Sequence, residues 1–125
     1  MSFTIKSLQG LSIRQIADVF NDACSDYVIP IKLTEEILTA KILSENIQLE
    51  NSVGVFDNDK LIAFILIGID EYDGHIVAYN AGTGVIPSYR GNKLTKRMYQ
   101  YLFPLLKDKD IVSHQLEVIT TNTIA

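Results

Sequence analysis

Cysteine occurs only once in this chain, at Cys24, which excludes an internal disulfide and fits a reducing, cytoplasmic compartment. Long hydrophobic runs are also missing. No stretch approaches the roughly 18 consecutive apolar residues of a membrane span, so no membrane partner is expected. The opening residues Met1-Ser2-Phe3-Thr4 carry no basic flank ahead of an apolar segment, so no secretory signal is read there. Positive charge is in the minority, with 11 Lys and Arg against 15 Asp and Glu. The resulting net charge of -4 argues against nucleic acid as a partner. No group of Cys, His, Asp and Glu has metal-ligand spacing, so no metal is expected. Repeats, low-complexity segments and linkers are absent. A length of 125 residues with 47% hydrophobic content is read as one domain spanning 1–125.

One further absence is local. Asp and Glu are missing from Gly74 through Lys107, yet Arg90, Lys93, Lys96, Arg97 and Lys107 all fall there. Residues 82–97 read as a strand end, a glycine-bearing turn and the first turn of a helix. Cations at a helix N-terminus oppose the macrodipole, which favours anions at that end. Exposed helix-start N–H groups, a glycine and a basic collar make an anion site, most simply for phosphate. The alternative is a solvated basic helix face.

The remaining elements follow from periodicity. Phe3 to Leu8 alternates as a half-buried strand does, and Gly10 breaks it. Ser12 with Gln15 forms a capping box for a first helix, flanked by a staple of Leu11 and Ile16. Its buried face is read as Ile13, Ile16, Ala17, Phe20, Ala23, Cys24 and Tyr27. The apolar connection 26–33 is either tucked into the core or one wall of an acceptor pocket. Thr34 caps a second helix that runs to about Asn46. Val53–Phe56, Leu61–Ile69 and His75–Val85 then form a meander, with turns at Asp57–Lys60 and Asp73-Gly74. Gly82 and Gly84 suit a bulge or a close ligand approach. A third helix carries the stripe Leu94, Met98, Tyr101, Leu102 and Leu105, and Pro104 should kink it or end its regular part. His114–Thr120 is a last strand, parallel to the third meander strand by a right-handed crossover. The fold class is α/β in the α+β sense: an antiparallel three-strand meander continued by a parallel strand, with helices on both faces.

Val85-Ile86-Pro87-Ser88-Tyr89-Arg90-Gly91-Asn92-Lys93-Leu94-Thr95 resembles the acetyl-CoA motif of the GNAT superfamily of N-acetyltransferases. That motif is Val-x-Pro, then Arg or Gln, two residues, Gly, one residue, and Gly or Ala. The element order matches the same fold over the whole chain. Leu116-Glu117-Val118 followed by Asn122 is similar to the next family motif, and residues 25–34 look like the acceptor-side segment of one subgroup. Lys93 and Thr95 stand where the family uses small residues. Lys93 is tolerable if its side chain points outward. In the family a helix and two strands follow Asn122, and that helix usually carries a tyrosine acting as general acid. The missing C-terminal part is expected on a longer polypeptide or from another chain, a homodimer being one form of this.

The resemblance implies direct transfer of an acetyl group from acetyl-CoA to a primary amine of a small molecule or peptide. The backbone of Gly91, Asn92, Lys93, Leu94, Thr95 and Lys96 would hold the pyrophosphate, with charge from Arg90, Lys93 and Lys96. Pantetheine would pair with backbone near Thr83, Gly84 and Val85, the Val85 N–H polarising the thioester carbonyl, and Asn122 would contact the arm. Glu117 is the expected general base, its alternative being a strand carboxylate paired with a cation. Tyr79 and Asn80 are weaker candidates. His75 and His114 are read as surface residues, and Cys24 as a core residue. The alternative function is a GNAT-like module that binds CoA or a partner without catalysis.

Overall fold

The computed structural model describes residues 3–25 and 32–113. Phe3–Ser7 forms strand β1, whose residues alternate between half-buried and exposed. Helix α1, Ile13–Ala23, starts from the expected capping box. Ser12 Oγ accepts from the Gln15 N–H at 3.1 Å, and Gln15 Oε1 accepts from the Ser12 N–H at 3.0 Å. Its buried residues are Ile16, Ala17, Val19 and Ala23. Val19 was not anticipated on that face, whereas Ile13 and Phe20 are only half-buried and Tyr27 lies outside the described residues. Helix α2, Glu35–Ser44, begins at Thr34, whose Oγ1 accepts from the Ile37 N–H. It stops short of Asn46, which is left-handed at φ 52°. Asn21 of α1 clamps the approach to α2. Its Oδ1 accepts from the Leu33 N–H at 2.6 Å and its Nδ2 donates to the Leu33 carbonyl at 2.9 Å.

The sheet is built from β1, β2 (Val53–Asp57), β3 (Lys60–Tyr72), β4 (His75–Val85) and β5 (Val112–Ser113), in that spatial order. The first four run antiparallel. Asn58, Asp73 and Gly74 take the positive φ values that the two tight turns require. Strand β5 pairs parallel to β4 through Val77↔Val112 and Ala78↔Ser113, as the crossover demands. It opens ahead of the expected start at His114, and the rest of that segment lies outside the described residues.

Helix α3, Leu94–Asp108, supplies the crossover. Phe20 of α1 stacks on Phe64 of β3 at 5.3 Å, whereas Tyr99 of α3 meets Asn80, the partner of Ile67. Positions 64 and 67 of one strand point to opposite faces, so α1 and α3 cover the sheet from opposite sides. That explains why Leu61 to Ile69 is buried throughout. One expectation for α3 needs correction and another is narrowed. Its buried stripe is Leu94, Met98, Tyr99, Leu102 and Leu106, with Tyr101 and Leu105 only half-buried. Pro104 does not end the helix, which continues to Asp108. A proline there orphans the Gln100 carbonyl, but Gln100 and Pro104 are both exposed, so water can take that bond. Among the described residues, no helix is long and apolar enough to cross a membrane.

Candidate functional site

The site begins with a fault in β4. Leu66 pairs with Gly82 but Ile67 pairs with Asn80, which leaves Ala81 as the extra residue of a bulge. Beyond it, the Ile86 N–H donates to the Ile62 carbonyl at 3.0 Å. Ladder groups alternate along a strand, so Gly84 shares that side, and Thr83 and Val85 turn their N–H and C=O groups away from β3. The described pairing with β5 involves only Val77 and Ala78.

A cleft of about 540 Å³ opens along this strand end. One wall is Thr83, Gly84 and Val85; a second is Ala23 and Cys24 at the end of α1. The third is the loop after β4 together with the start of α3: Tyr89, Arg90, Gly91, Lys93, Leu94 and Thr95. Gly84 sets the spacing of the first two walls. A Cβ placed there would lie 2.8 Å from the Ala23 Cβ and 2.8 Å from Phe64 Cε1, so only glycine lets α1 sit this close. At Gly82 the same atom would meet Phe20 and Leu66 at 3.5 and 3.6 Å, which is ordinary contact.

The third wall is a helix start without a cap. A short 3-10 turn at Pro87–Tyr89 leads to Gly91 at φ 90° and Lys93 at φ 56°, ψ 34°. Lys93 is the N-cap residue of α3, and its side chain makes no capping hydrogen bond. The N–H groups of Leu94, Thr95 and Lys96 have no intrahelical acceptor, and the positive end of the helix dipole lies at the cleft. Lys93 occupies a conformation that costs a non-glycine residue roughly 1–2 kcal/mol. Its side chain is exposed, as its tolerance required, and Thr95 is half-buried.

The four clustered cations divide into two kinds. The Arg97 guanidinium lies over the Phe3 ring at 5.8 Å. Arg90 donates from Nη2 to the Ala23 carbonyl at 2.8 Å and from Nε to the Val85 carbonyl at 3.2 Å. The first bond engages a carbonyl in the last turn of α1 that has no backbone donor among the described residues. Lys93 and Lys96 are exposed and form no ion pair among the described residues. Tyr89 is held by its hydroxyl, which donates to the Asp57 carboxylate at 2.7 Å, and by an edge contact with Phe3. The bond to Asp57, then burial, raises the Tyr89 pKa above its ordinary 10.0.

The structure brings Thr83, Gly84, Val85, Arg90, Gly91, Lys93, Leu94 and Thr95 around one cleft. Asn92 and Lys96 do not line it. Asn92 donates to the Tyr89 carbonyl at 2.8 Å, and Lys96 projects from the first turn of α3. Glu117, Asn122 and His114 lie outside the described residues. Tyr79 packs on Gly68 and donates to the Glu45 carbonyl, and its pKa is raised chiefly by burial and then by Glu45 and Asp70. Neither Tyr79 nor Asn80 lines the cleft. His75 is exposed and Cys24 is buried, as read. The place of Ala23 and Cys24 on the cleft wall had been missed; the only hint was the pair of small residues at the end of α1. Among the described residues, no three His, Cys, Asp or Glu side chains converge as a metal-ligand set.

The sequence profile of the acetyltransferase (GNAT) family matches residues 16–125. No curated protein matches the sequence. Glucosamine-6-phosphate N-acetyltransferase from Arabidopsis thaliana has a similar structure, with a TM-score of 0.64 at 14% identity over 97% of this chain and 89% of its own. The ribosomal-protein-S18-alanine N-acetyltransferase from Escherichia coli gives 0.63 at 18% identity over 86% of this chain, which spans 61% of that enzyme's chain. Ribosomal-protein-alanine N-acetyltransferase from Brucella melitensis biovar Abortus 2308 gives 0.65 at 11% identity over 100% of this chain and 92% of its own. At these identities the structural likeness shows the fold.

Proposed function

The chain belongs to the GNAT acetyltransferase family, and from that premise we propose that it takes acetyl-CoA as co-substrate in the cleft between β4 and α3 and passes the acetyl group directly to a primary amine of a small molecule or peptide. One observation carries this reading: the uncapped start of α3 opens into a cleft whose facing wall is strand backbone turned away from its own ladder. The N–H groups from Gly91 to Lys96 hold the pyrophosphate, and the exposed ammonium groups of Lys93 and Lys96 add charge at the rim. Arg90 adds a third positive charge on the loop that forms the third wall. Thr83 and Val85 offer strand groups to the pantetheine arm, and Asn122 touches the same arm.

Bound acetyl-CoA supplies an acyl group already activated as a thioester. The protein's part is to place and polarise it. The Val85 N–H faces the thioester carbonyl and stabilises the negative charge that develops on its oxygen. The acceptor must lose a proton to attack, and Glu117 takes it directly or through water; as the C–N bond forms the C–S bond breaks, and the CoA thiolate leaves and takes up the second proton that the amine gives up. A cytoplasmic setting suits the single thiol.

Calorimetric titration with acetyl-CoA and with CoA tests the first half. Micromolar-range binding is expected, weakened by Gly91→Ala, because alanine is strained at φ 90°. Absence of binding by either ligand would end the proposal. Acetyl transfer to a panel of amines tests the second half, and Glu117→Gln should abolish it while leaving CoA binding intact. A second reading is supported by Lys93 and Thr95 at positions where the family motif has small residues: CoA binding without catalysis. Binding with no product on any amine would favour it.

A further inference from the structure

The bulge in β4 is held by a side chain that the acetyl-transfer reading does not use. Asn80 Oδ1 accepts from the Gly82 N–H at 2.8 Å, across the unpaired Ala81. Its Nδ2 donates to Thr83 Oγ1 at 2.5 Å and to the Tyr99 hydroxyl at 2.7 Å. Those bonds use both amide hydrogens and the carbonyl, and the Gly82 N–H fixes which end is which, since a flipped amide would set donor against donor. Tyr99 is 1% exposed, lies in the second turn of α3 and stacks on Phe103 at 5.6 Å. Thr83 lines the cleft. One half-buried amide thus ties the bulge, the strand end and the helix together.

We propose that Asn80 is a positioning residue, whose amide holds the acyl end of the cleft on β4 and the phosphate end on α3 at a fixed offset. The inference rests on the acetyl-CoA reading of the cleft, in which one long ligand must meet both walls at once. A β-bulge leaves local ladder groups unpaired and the strand free to bend. Without the amide, the Thr83–Val85 backbone and the α3 N–H groups each keep their chemistry but lose their mutual register. Binding of the two halves of one ligand gains from linkage only when both subsites can be met simultaneously.

The test compares acetyl-CoA with its two parts, 3′-phospho-ADP and S-acetylpantetheine, by calorimetry on the full chain. Tyr99→Phe keeps the ring and its stacking and removes the hydroxyl, which accepts from Asn80 Nδ2 and also bonds Thr83. It should weaken acetyl-CoA roughly tenfold while each fragment changes less than about twofold, the signature of lost register. Asn80→Ala should do at least as much, and the double variant should be no weaker than Asn80→Ala. Thermal melting of each variant reports that it is folded. Unchanged acetyl-CoA affinity in Tyr99→Phe would overturn the proposal. So would fragment affinities that fall in proportion to the whole, because the amide would then shape one subsite only. If the unaltered chain binds no acetyl-CoA, it is the functional reading that fails.

Discussion

Exchanging each of two glycines on the same strand for alanine separates close packing from mere flexibility. Gly82 and Gly84 are both on β4 and neither has a positive φ, so alanine is conformationally acceptable at each. Their surroundings differ. A Cβ on Gly84 would stand 2.8 Å from the Ala23 Cβ and 2.8 and 2.9 Å from two atoms of the Phe64 ring. Phe64 is fully buried and stacked on Phe20, and Ala23 is at the end of α1, so neither has an open direction to yield. Overpacking of this kind costs about 1–3 kcal/mol. For a domain of this size that corresponds to a melting temperature lower by roughly 4–12 °C. The displaced part should be the end of α1, which Arg90 ties to the Val85 carbonyl, so cleft geometry changes along with stability. At Gly82 the new methyl would make ordinary contacts at 3.5 and 3.6 Å. Gly82→Ala should be neutral or stabilise by up to about 1 kcal/mol, by restricting the unfolded chain. Thermal melting and acetyl-CoA titration of both variants provide the assay. Equal melting temperatures for the two variants, or a Gly84→Ala protein with unaltered stability and ligand affinity, would refute the claim that Gly84 sets the width of the cleft.

Lys93→Gly should relieve the left-handed strain of roughly 1–2 kcal/mol and lose about 0.5–1 kcal/mol to unfolded-state freedom, a net gain near 0.5–1 kcal/mol. Its CoA affinity should fall and become less steeply salt-dependent, which melting and titration at two ionic strengths would show. Cys24 is the one thiol in the chain and lines the cleft at 6% exposure. Its labelling by a thiol reagent should be slow, and slower still by roughly 1 + [L]/Kd at acetyl-CoA concentration [L]; no protection would place the ligand elsewhere. Burial raises the Tyr99 pKa above 10.0, against smaller opposing effects of its bonds to Asn80 and Thr83. The fold therefore favours the protonated phenol. That contribution is complete below the unfolded pKa of about 10 and is lost as pH rises through the folded value. Denaturant unfolding on either side of this range should show stability falling in the alkaline arm, with a shallower fall in Tyr99→Phe.

Local chemistry was legible in the residues. The Ser12–Gln15 box, the Thr34 cap and the Asp73-Gly74 turn each rest on contacts within a few positions, and each appears where the pattern put it. The stripe of α3 was misread because consecutive positions lie about 100° apart and apolar residues at 98–99, 101–102 and 105–106 cover more of the helix than one stripe needs. Where the buried stripe centres was decided by partners elsewhere in the chain: Met98 and Tyr99 are both buried, and the Tyr99 hydroxyl accepts from the Asn80 amide. The cleft shows the same limit. Counting charges near a helix start suggested a collar of four cations around an anion. Folding spends Arg97 on an aromatic ring and gives Arg90 two carbonyls to bridge, neither of which periodicity or spacing can reveal. What remains at the proposed anion end is mainly backbone: the glycine at φ 90°, a lysine bent into a glycine's conformation and N–H groups with no internal acceptor. A ligand held this way reads the shape of the chain more than its side chains. Lys93 and Thr95 can therefore occupy positions for small residues as long as their backbones keep that path.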